Sequence, residues 1–413
     1  MPSRIVILGG GTGGTIMANR LRRHYDPADA TITVVDQDTR HLYQPGLLFV
    51  PFGLAEPEDL VRPRQRQLHD HIDFLEHAVD RVDLEVDEVH LIDGPTLGYD
   101  VLILATGVRL QPEETEGLTG PGWMESMFTF YDLEGATALH AALDRFDGGK
   151  VVVNVVDMPI KCPVAPLEFC FLADWYFQER GIRDRVELTY VTPLDGAFTK
   201  PTASKALSGL LADKHVELVT EFNTGEVDGP GGRLIGYDER EVPFDLLVTI
   251  PLHGGAEYVS RSTGLGDELD FVPADEHTMQ SKAKPNVFVI GDASNLPASK
   301  AGSVTHFEGE VLTENVTRFL AGEALDASYD GHANCFIETG FRKALLIDFN
   351  YDTEPLPGHF PTGLSPVPLL KESRLNHLGK LMFQWVYWHA LLPGRDIPGI
   401  TPDMPTAGKV HAE

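Results

Sequence analysis

Cysteine is scarce in this sequence, since Cys162, Cys170 and Cys335 are the three cysteines among 413 residues. So small and odd a number excludes a framework of structural disulfides. Each cysteine is therefore expected either to take part in chemistry or to be a residue of the hydrophobic core. Cys170 stands in an apolar segment that is predicted to be helical, and we expect it to be a core residue.

Basic residues are also few, because 33 lysines and arginines face 62 acidic residues and give a formal net charge of −29. A surface of that sign repels phosphates, so no nucleic-acid partner is predicted. Hydrophobic residues still make up 42% of the chain, which excludes a disordered protein. An acidic shell suited to a salty cytoplasm is the better interpretation.

Long hydrophobic runs are missing as well. No stretch reaches the roughly 20 apolar residues that span a bilayer, and the nearest approach is the aromatic run at 381–392. A strand-like segment follows Met1 so soon that we expect no secretory signal. The chain is too long for one hydrophobic core, so the length predicts two similar units and a smaller appendage.

A glycine motif marks the first unit. A predicted buried strand leads directly into Gly9, Gly11 and Gly14, which precede a predicted helix. In this setting the first glycine permits a tight turn, the second admits a pyrophosphate and the third lets helix and strand pack closely. A second predicted strand ends at Asp36, about 20 residues further on, where a carboxylate accepts hydrogen bonds from a ribose diol. The pattern predicts a dinucleotide site.

Two further turns resemble signatures of the FAD-binding pyridine nucleotide-disulfide reductase superfamily: Ala-Thr-Gly at 105–107 and Gly-Asp at 291–292, each after a predicted strand. In that superfamily the Gly-Asp pair lies at the ribityl and pyrophosphate portion of FAD, and the resemblance implies the same here. No metal site is predicted. The predicted cofactor-binding residues are Gly9, Gly11, Gly14, Asp36, Ala105, Thr106, Gly107, Gly291, Asp292, Lys300 and Gly302.

A second βαβ unit begins near Gly149, but its first turn, at 157–166, contains no glycine and several prolines. Side chains would fill the space in which a pyrophosphate meets bare backbone, so NADH is not expected to bind there. Cys162 stands in this turn, ahead of a predicted helix. The helix dipole and the neighbouring Lys161 predict a thiolate at Cys162.

Three segments together resemble the sulfide:quinone oxidoreductases, and the resemblance covers nearly the whole chain. They are Lys161-Cys162-Pro163, the frame of Gly331, Cys335 and Gly340, and the strand-like run at 244–251. The resemblance implies that Cys162 and Cys335 carry sulfide sulfur on one face of FAD. It also implies oxidation of sulfide to sulfane sulfur or polysulfide, with electrons passing to a membrane quinone.

Relatives in that family often carry a further cysteine before the first of the redox pair. This sequence has none before Cys162, so a covalent bond to FAD is not predicted. Glu168, six residues later, is predicted to be catalytic as a proton carrier, or else simply complements the helix dipole. Lys300 is expected to place positive charge near the reduced flavin. His306 and His332 are each predicted either to transfer protons or to have a structural role.

The C-terminal segment carries Phe383, Trp385, Tyr387 and Trp388 in one helix-like run. An amphipathic aromatic helix predicts insertion at the membrane interface, hence a peripheral, monotopic protein on the cell membrane. A core helix or a contact in a homo-oligomer is the alternative. The predicted divisions are a first part of an FAD domain (1–148), a second Rossmann-like domain (149–270), a return to the FAD domain (271–325) and a C-terminal membrane-facing region (326–413).

The predicted fold class is therefore α/β, with two Rossmann-like units. Three alternative functions fit the sequence less well. A type II NADH:quinone dehydrogenase needs glycines in the second turn and no cysteine pair. The flavoprotein subunit of a flavocytochrome c sulfide dehydrogenase shares the cysteines, but it is exported and has a haem partner. A binding module that retains FAD as a relic would have lost a member of the pair.

Overall fold

The computed structural model describes residues 1–397 and 399–410. The α-helices are α1 (Thr12–His24), α2 (Leu133–Arg145), α3 (Ala165–Glu179), α4 (Pro201–Asp213), α5 (Gly302–Leu320) and α6 (Arg374–Val386). A π-helical turn, Tyr387–Leu391, continues α6. Short 3-10 helices occupy Gln44–Gly46, Val50–Phe52, Pro57–Leu60, Arg64–Gln67, Pro112–Glu114, Arg183–Arg185 and Gly291–Ala293.

The strands of the amino-terminal part are β1 (Ser3–Leu8), β2 (Ala30–Asp36), β3 (Arg40–Leu42), β4 (Val61–Pro63), β5 (Ile72–Glu76), β6 (Val79–Asp83), β7 (Glu88–Leu91), β8 (Thr96–Gly98), β9 (Val101–Leu104), β10 (Arg109–Gln111), β11 (Met127–Phe128) and β12 (Gly149–Val155). Those that follow are β13 (Val186–Val191), β14 (Val216–Val219), β15 (Thr224–Asp228), β16 (Arg233–Gly236), β17 (Glu241–Pro243), β18 (Leu246–Ile250), β19 (Leu252–Gly254), β20 (Val287–Val289), β21 (Ala333–Gly340), β22 (Lys343–Phe349), β23 (Gly358–Phe360) and β24 (Val367–Leu369).

One parallel sheet has the strand order β20-β9-β1-β2-β5. In β1, Ile5 lies opposite Ile32 on one side and Val101 on the other. Strands β1 and β9 are buried on both faces, which explains their unbroken apolar sequence. The carboxyl ends of β1, β9 and β20 meet at one edge, so the three predicted cofactor turns are brought together there.

A second parallel sheet has the order β11-β18-β12-β13-β14. From β12 the chain passes through the glycine-free turn into α3. Helix α3 packs against β12 and β13 on one side and against β21 on the other. Phe169, Phe171 and Phe177 of this helix are completely buried, so it is apolar around most of its circumference. The two Rossmann-like sheets confirm the predicted α/β fold class.

The C-terminal part is a hairpin of β21 and β22, in which Cys335 lies opposite Ile347. Helix α6 packs across it closely, since a Cβ on Gly379 would lie 2.7 Å from the ring of Phe336. Ser303, at the start of α5, donates to the carbonyl oxygen of Asn334 at 2.7 Å. The strand that carries Cys335 is thereby attached to the first unit. Among the described residues, no helix has the length and apolar character needed to cross a bilayer.

Candidate active site

A cavity lies at the carboxyl ends of β1, β9 and β20 and extends to the start of α3. The predicted residues that line it are Gly9, Gly11, Asp36, Ala105, Thr106, Gly107, Cys162, Glu168, Gly291, Asp292, Lys300 and Gly302. Within the described chain, Gly14 and Cys335 are not part of this lining. The fold therefore gathers these residues from five separate parts of the sequence around one space.

The glycine turn after β1 has the shape of a phosphate cradle. Gly9 has φ +93°, and a Cβ there would lie 2.4 Å from the carbonyl oxygen of Ala105. A Cβ on Gly14 would lie 1.8 Å from the carbonyl oxygen of Gly9, so this glycine is needed for packing behind the turn. At Gly11 a Cβ would meet no described atom within 4 Å and would point into open space. The open side at Gly11 fits a pyrophosphate.

Asp36 lies at the end of β2. Its carboxylate accepts hydrogen bonds from the backbone N–H of Gly10 at 2.7 Å and of Asp38 at 2.9 Å. Arg64, which the sequence analysis missed, is buried beside it, with Nη1 3.3 Å from Asp36 Oδ2. Arg64 lines the cavity, and its buried Nη1 makes no hydrogen bond within the described structure. A buried donor without a hydrogen-bond partner, beside the carboxylate that is predicted to accept from a ribose, fits the adenosine and phosphate end of FAD.

Lys300 provides a positive charge at the part of the cavity that contains Asp292. Lys300 Nζ donates to the carbonyl oxygens of Asp292 at 2.8 Å and of Ser294 at 2.7 Å. Burial lowers the pKa of Lys300, whereas the charge of Asp292 acts in the opposite direction. Glu308 accepts a hydrogen bond from the backbone N–H of Gly291 at 2.7 Å, and burial raises the pKa of Glu308 to about 8.

The backbone holds Cys162 in an unusual conformation, with φ +47°. Left-handed backbone costs a non-glycine residue roughly 1–2 kcal/mol, and such strain is concentrated at functional sites. Three hydrogen bonds hold the residue in place. Its N–H donates to the carbonyl oxygen of Lys300 at 2.6 Å, and its carbonyl oxygen accepts from Tyr131 Oη at 3.0 Å and from the N–H of Ala165 at 2.9 Å.

The predicted thiolate character of Cys162 is wrong. Burial raises the pKa of the Cys162 thiol to about 12, and the negative charge of Glu168 adds to that effect. The charge of Lys380 and the N–H of Ala165 at the helix start lower the pKa, but they do not offset burial. The helix start therefore acts in the predicted direction and is outweighed.

Cys335 lies on β21, and it is partly buried like Cys162. Burial raises the pKa of the Cys335 thiol, and the charge of Cys162 raises it further. Glu168 and Lys380 influence both thiols, which places the two cysteines in one electrostatic environment. All three cysteines are free thiols. Cys170 is completely buried in α3, as expected of a core residue.

Glu168 is a buried residue in the first turn of α3. Its Oε1 accepts from Lys380 Nζ at 2.7 Å and from the backbone N–H of Glu338 at 2.6 Å. Its Oε2 finds no hydrogen-bond partner in the described residues. Burial raises the pKa of Glu168, and Lys380 opposes that shift. This pairing is more specific than a carboxylate that complements a helix dipole.

Lys380 is the second residue that sequence reasoning missed. It lies on α6, lines the cavity and also donates to the carbonyl oxygen of Phe336 at 3.0 Å. Burial alone would lower the pKa of Lys380, but the charges of Glu168 and Cys162 raise it above its usual value. The sequence signal that could have identified Lys380 is its position as a lone lysine in an apolar, aromatic segment, where a charged residue is often functional.

The aromatic residues of the C-terminal segment divide between the interior and the surface. Tyr387 is buried, and its Oη lies 2.7 Å from both Thr12 Oγ1 and His41 Nε2. Trp388 is also buried, whereas the Trp385 residue is 63% exposed. The prediction that Tyr387 and Trp388 face a membrane is therefore wrong, because Tyr387 attaches the segment to Thr12 of the first glycine turn and Trp388 packs against His41 and Tyr43.

The two histidines lie away from the cavity, as far as its described lining shows. His332 Nε2 lies 2.8 Å from Asp348 Oδ1, and its ring stacks on Phe307 at 4.1 Å. His306 Nε2 lies 3.3 Å from Glu310, and burial lowers the pKa of His306 to about 4. These surroundings favour structural roles for both.

The Gly11→Val substitution tests the cofactor cradle. The Cβ at this position points into open space, so the variant is expected to fold normally while its side chain blocks the phosphate site. We expect at least a tenfold loss of FAD content per folded chain, roughly 1.4 kcal/mol or more of binding free energy. Absorbance of the purified protein measures this, and Gly209→Ala, which also meets open space, is the control. Full flavin occupancy in Gly11→Val would refute the placement.

Comparison with known proteins agrees with this geometry. The profile of the pyridine nucleotide-disulphide oxidoreductase family matches residues 3–155. The mitochondrial sulfide:quinone oxidoreductase of Mus musculus is 26% identical over 403 residues, covering 94% of this chain and 86% of that protein. Rhodocoxin reductase of Rhodococcus erythropolis is 35% identical over 337 residues, covering 78% and 72% respectively.

A solved structure shares the fold. The sulfide:quinone oxidoreductase from the hyperthermophilic bacterium Aquifex aeolicus matches with a TM-score of 0.80 at 19% identity, covering 96% of this chain and 93% of that one. The glycine cradle and the orphan Arg64 Nη1 fit FAD, which is the cofactor. The chain is an enzyme that belongs to the FAD-dependent pyridine nucleotide-disulphide oxidoreductase family and, within it, to the sulfide:quinone oxidoreductases.

Proposed function

We propose that this protein oxidises sulfide to sulfane sulfur or polysulfide at Cys162 and Cys335, and that the electrons pass through FAD to a membrane quinone. The observation that carries the proposal is the strained Cys162 on the cavity wall, which shares the Glu168–Lys380 pair with Cys335. The names of the relatives support the same reaction.

The sulfur chemistry begins once Cys162 and Cys335, which are free thiols in this structure, have lost two protons and passed two electrons to the flavin to form a disulfide bridge. Hydrosulfide attacks one sulfur of the bridge, so that one cysteine becomes a persulfide and the other leaves as a thiolate. Closure of the persulfide onto that thiolate forms a trisulfide and releases two electrons and one proton. Repetition lengthens the sulfur chain until it is released.

Lys380 stabilises the leaving thiolate in this scheme. Its positive charge lowers the pKa of both thiols, against the burial that raises them. A thiol with a raised pKa is a poor leaving group, because leaving-group acidity governs the exchange rate. The nearby cation therefore matters most at the moment when the bridge opens.

FAD supplies the two-electron acceptor between sulfide and quinone. Gly11 and Asp36 would hold its phosphate and adenosine portion, and Gly291 and Asp292 its ribityl portion. Lys300 would place its ammonium beside the negative charge of the reduced form. Glu168 would hold or release a proton at Oε2, which faces no described partner.

The quinone end is proposed at α6, which presents different residues on its two sides. Lys380 lies on the cavity, while the exposed apolar side carries Leu375, Leu378, Leu381, Met382 and Trp385. We define these five residues as the α6 stripe. A helix with this distribution inserts shallowly into a lipid interface, from which a quinone reaches the cavity. The acidic surface favours zwitterionic lipid.

The triple variant Leu378→Ser/Met382→Ser/Trp385→Ser tests this membrane surface. Because these side chains are exposed, the fold and sulfide-dependent flavin reduction are expected to stay within about twofold of wild type. Binding to phosphatidylcholine vesicles should fall at least tenfold, about 1.4 kcal/mol or more. Sedimentation measures it. Tyr237→Ser, at a residue 81% exposed elsewhere, is the control.

Vesicle binding equal to wild type in the triple variant would contradict the membrane surface. A change from oligomer to monomer, measured by light scattering without lipid, would instead assign the α6 stripe to a contact between copies. The redox part of the proposal is tested separately, by anaerobic addition of sulfide or NADH to the oxidised flavoprotein.

A further inference from the structure

Oxidation of hydrosulfide by a quinone consumes one proton per turnover. Hydrosulfide gives one sulfur atom, one proton and two electrons, whereas a quinone takes two electrons and two protons to become a hydroquinone. The second proton must come from solvent. If the proposed function is correct, a path for that proton must therefore exist from the surface to the quinone end of the cavity.

Two hydrogen-bonded side chains, those of His377 and Glu338, lead inward from the surface toward the Glu168–Lys380 pair. Glu338 on β21 is buried, with 2% exposure, and its Oε2 lies 2.8 Å from His377 Nδ1. His377 lies on α6, one helical turn before Lys380, and its side chain is 21% exposed. The backbone N–H of Glu338 donates to Glu168 Oε1, so the Glu338 and Glu168 residues are adjacent.

The electrostatic surroundings of Glu338 suit the transfer of a proton. Burial raises the pKa of Glu338, the contact with His377 lowers it, and the charge of Glu168 raises it. The titratable groups that act on Glu338, besides His377, are Glu168 on α3 and Lys380 on α6. A buried carboxyl with a raised pKa, in hydrogen-bond contact with a partly exposed imidazole, is suited to passing a proton between the surface and the interior.

The position of His377 adds a second argument. Its neighbours Leu375 and Leu378 belong to the exposed α6 stripe, whereas His377 itself turns inward to Glu338. His377, the outer of the two side chains, therefore lies at the edge of the proposed membrane surface. Protons can reach it there from water while the quinone enters from lipid.

We propose that His377 and Glu338 form the proton entry of this enzyme, delivering a solvent proton through Lys380 and Glu168 to the quinone. This inference rests on the proposed function and extends it. Neither His377 nor Glu338 lines the described cavity. They act through the Glu168–Lys380 pair, and quinone reduction depends on them while sulfide oxidation does not.

The experiment separates the two half-reactions of the FAD-loaded enzyme by anaerobic stopped-flow absorbance. In His377→Ala, flavin reduction by sulfide is expected within about twofold of wild type, whereas reoxidation by a short-chain quinone should slow on the order of 10²-fold. Added imidazole should restore much of the reoxidation rate. His389→Ala removes an exposed histidine nearby and is the matched control.

The pH profile gives a second readout. Without the entry, protons come directly from water, so reoxidation in His377→Ala should slow steeply as pH rises, and less steeply in wild type. Glu338→Gln retains the backbone bond to Glu168 and should slow reoxidation in the same way, without imidazole rescue.

Wild-type reoxidation in both variants would overturn the proposal. Slow reoxidation that neither imidazole nor lower pH improves would also overturn it, since that result indicates a structural role. Failure of sulfide to reduce the flavin of the wild-type enzyme would instead contradict the proposed function itself.

Discussion

Either Cys162→Ser or Cys335→Ser is expected to slow sulfide-dependent flavin reduction by at least about 10³-fold. A hydroxyl cannot form a persulfide or a sulfur bridge, so loss of either cysteine removes the acceptor that hydrosulfide attacks. Because the pair acts as one unit, the double variant should be scarcely slower than either single variant. Stopped-flow absorbance of the flavin band, measured anaerobically, gives each rate.

Cys170→Ser is the matched control for this series. Cys170 is completely buried, so a hydroxyl there should lower the free energy of unfolding by about 1–3 kcal/mol through an unsatisfied polar group. Flavin reduction per folded molecule should stay near wild type. Normal bleaching by sulfide in both Cys162→Ser and Cys335→Ser would eliminate the proposed reaction, and loss confined to Cys170→Ser would identify a different cysteine.

Lys380→Met is expected to lower the free energy of unfolding by about 3–5 kcal/mol, because it leaves the buried carboxylate of Glu168 without its cation. The double variant Glu168→Gln/Lys380→Met should recover most of that loss, since it removes both charges and leaves an oxygen to accept from Glu338. Denaturant unfolding of the two variants and of wild type measures the difference.

The loss in Lys380→Met should depend on pH. Burial already raises the pKa of Glu168, and the variant removes the charge that opposes this shift. A carboxyl whose folded pKa exceeds its unfolded value binds protons more tightly in the native state, so stability falls as pH rises above about 4.5. Lys380→Met should therefore be closer to wild type at pH 5 than at pH 8. An equal, pH-independent loss in the single and double variants would contradict the ion pair.

Much of the cofactor site could be predicted from the sequence because its signals are local. Gly9, Gly11 and Gly14 are required by one tight turn and its immediate packing, and Asp36 follows at the end of the neighbouring strand. Cys162 was recognisable for the same reason, since the turn around it lacks glycine where a second pyrophosphate would need it.

The remaining features depend on contacts between distant parts of the chain. Arg64 and Lys380 meet their carboxylates only through the tertiary fold. The composition of the C-terminal segment indicated an amphipathic helix but could not show that Tyr387 turns inward to Thr12. The pKa of Cys162 was predicted in the wrong direction, because a helix start is visible in sequence and the depth of burial is not.

The most direct test of the account is an anaerobic titration of the wild-type flavoprotein with sulfide and, separately, with NADH. We expect sulfide to bleach the flavin band with a stoichiometry of about one sulfide per flavin, since each sulfide carries two electrons. NADH should leave the band unchanged on the same timescale, because the turn that contains Cys162 has no glycine cradle. Bleaching by NADH with no response to sulfide would contradict the account.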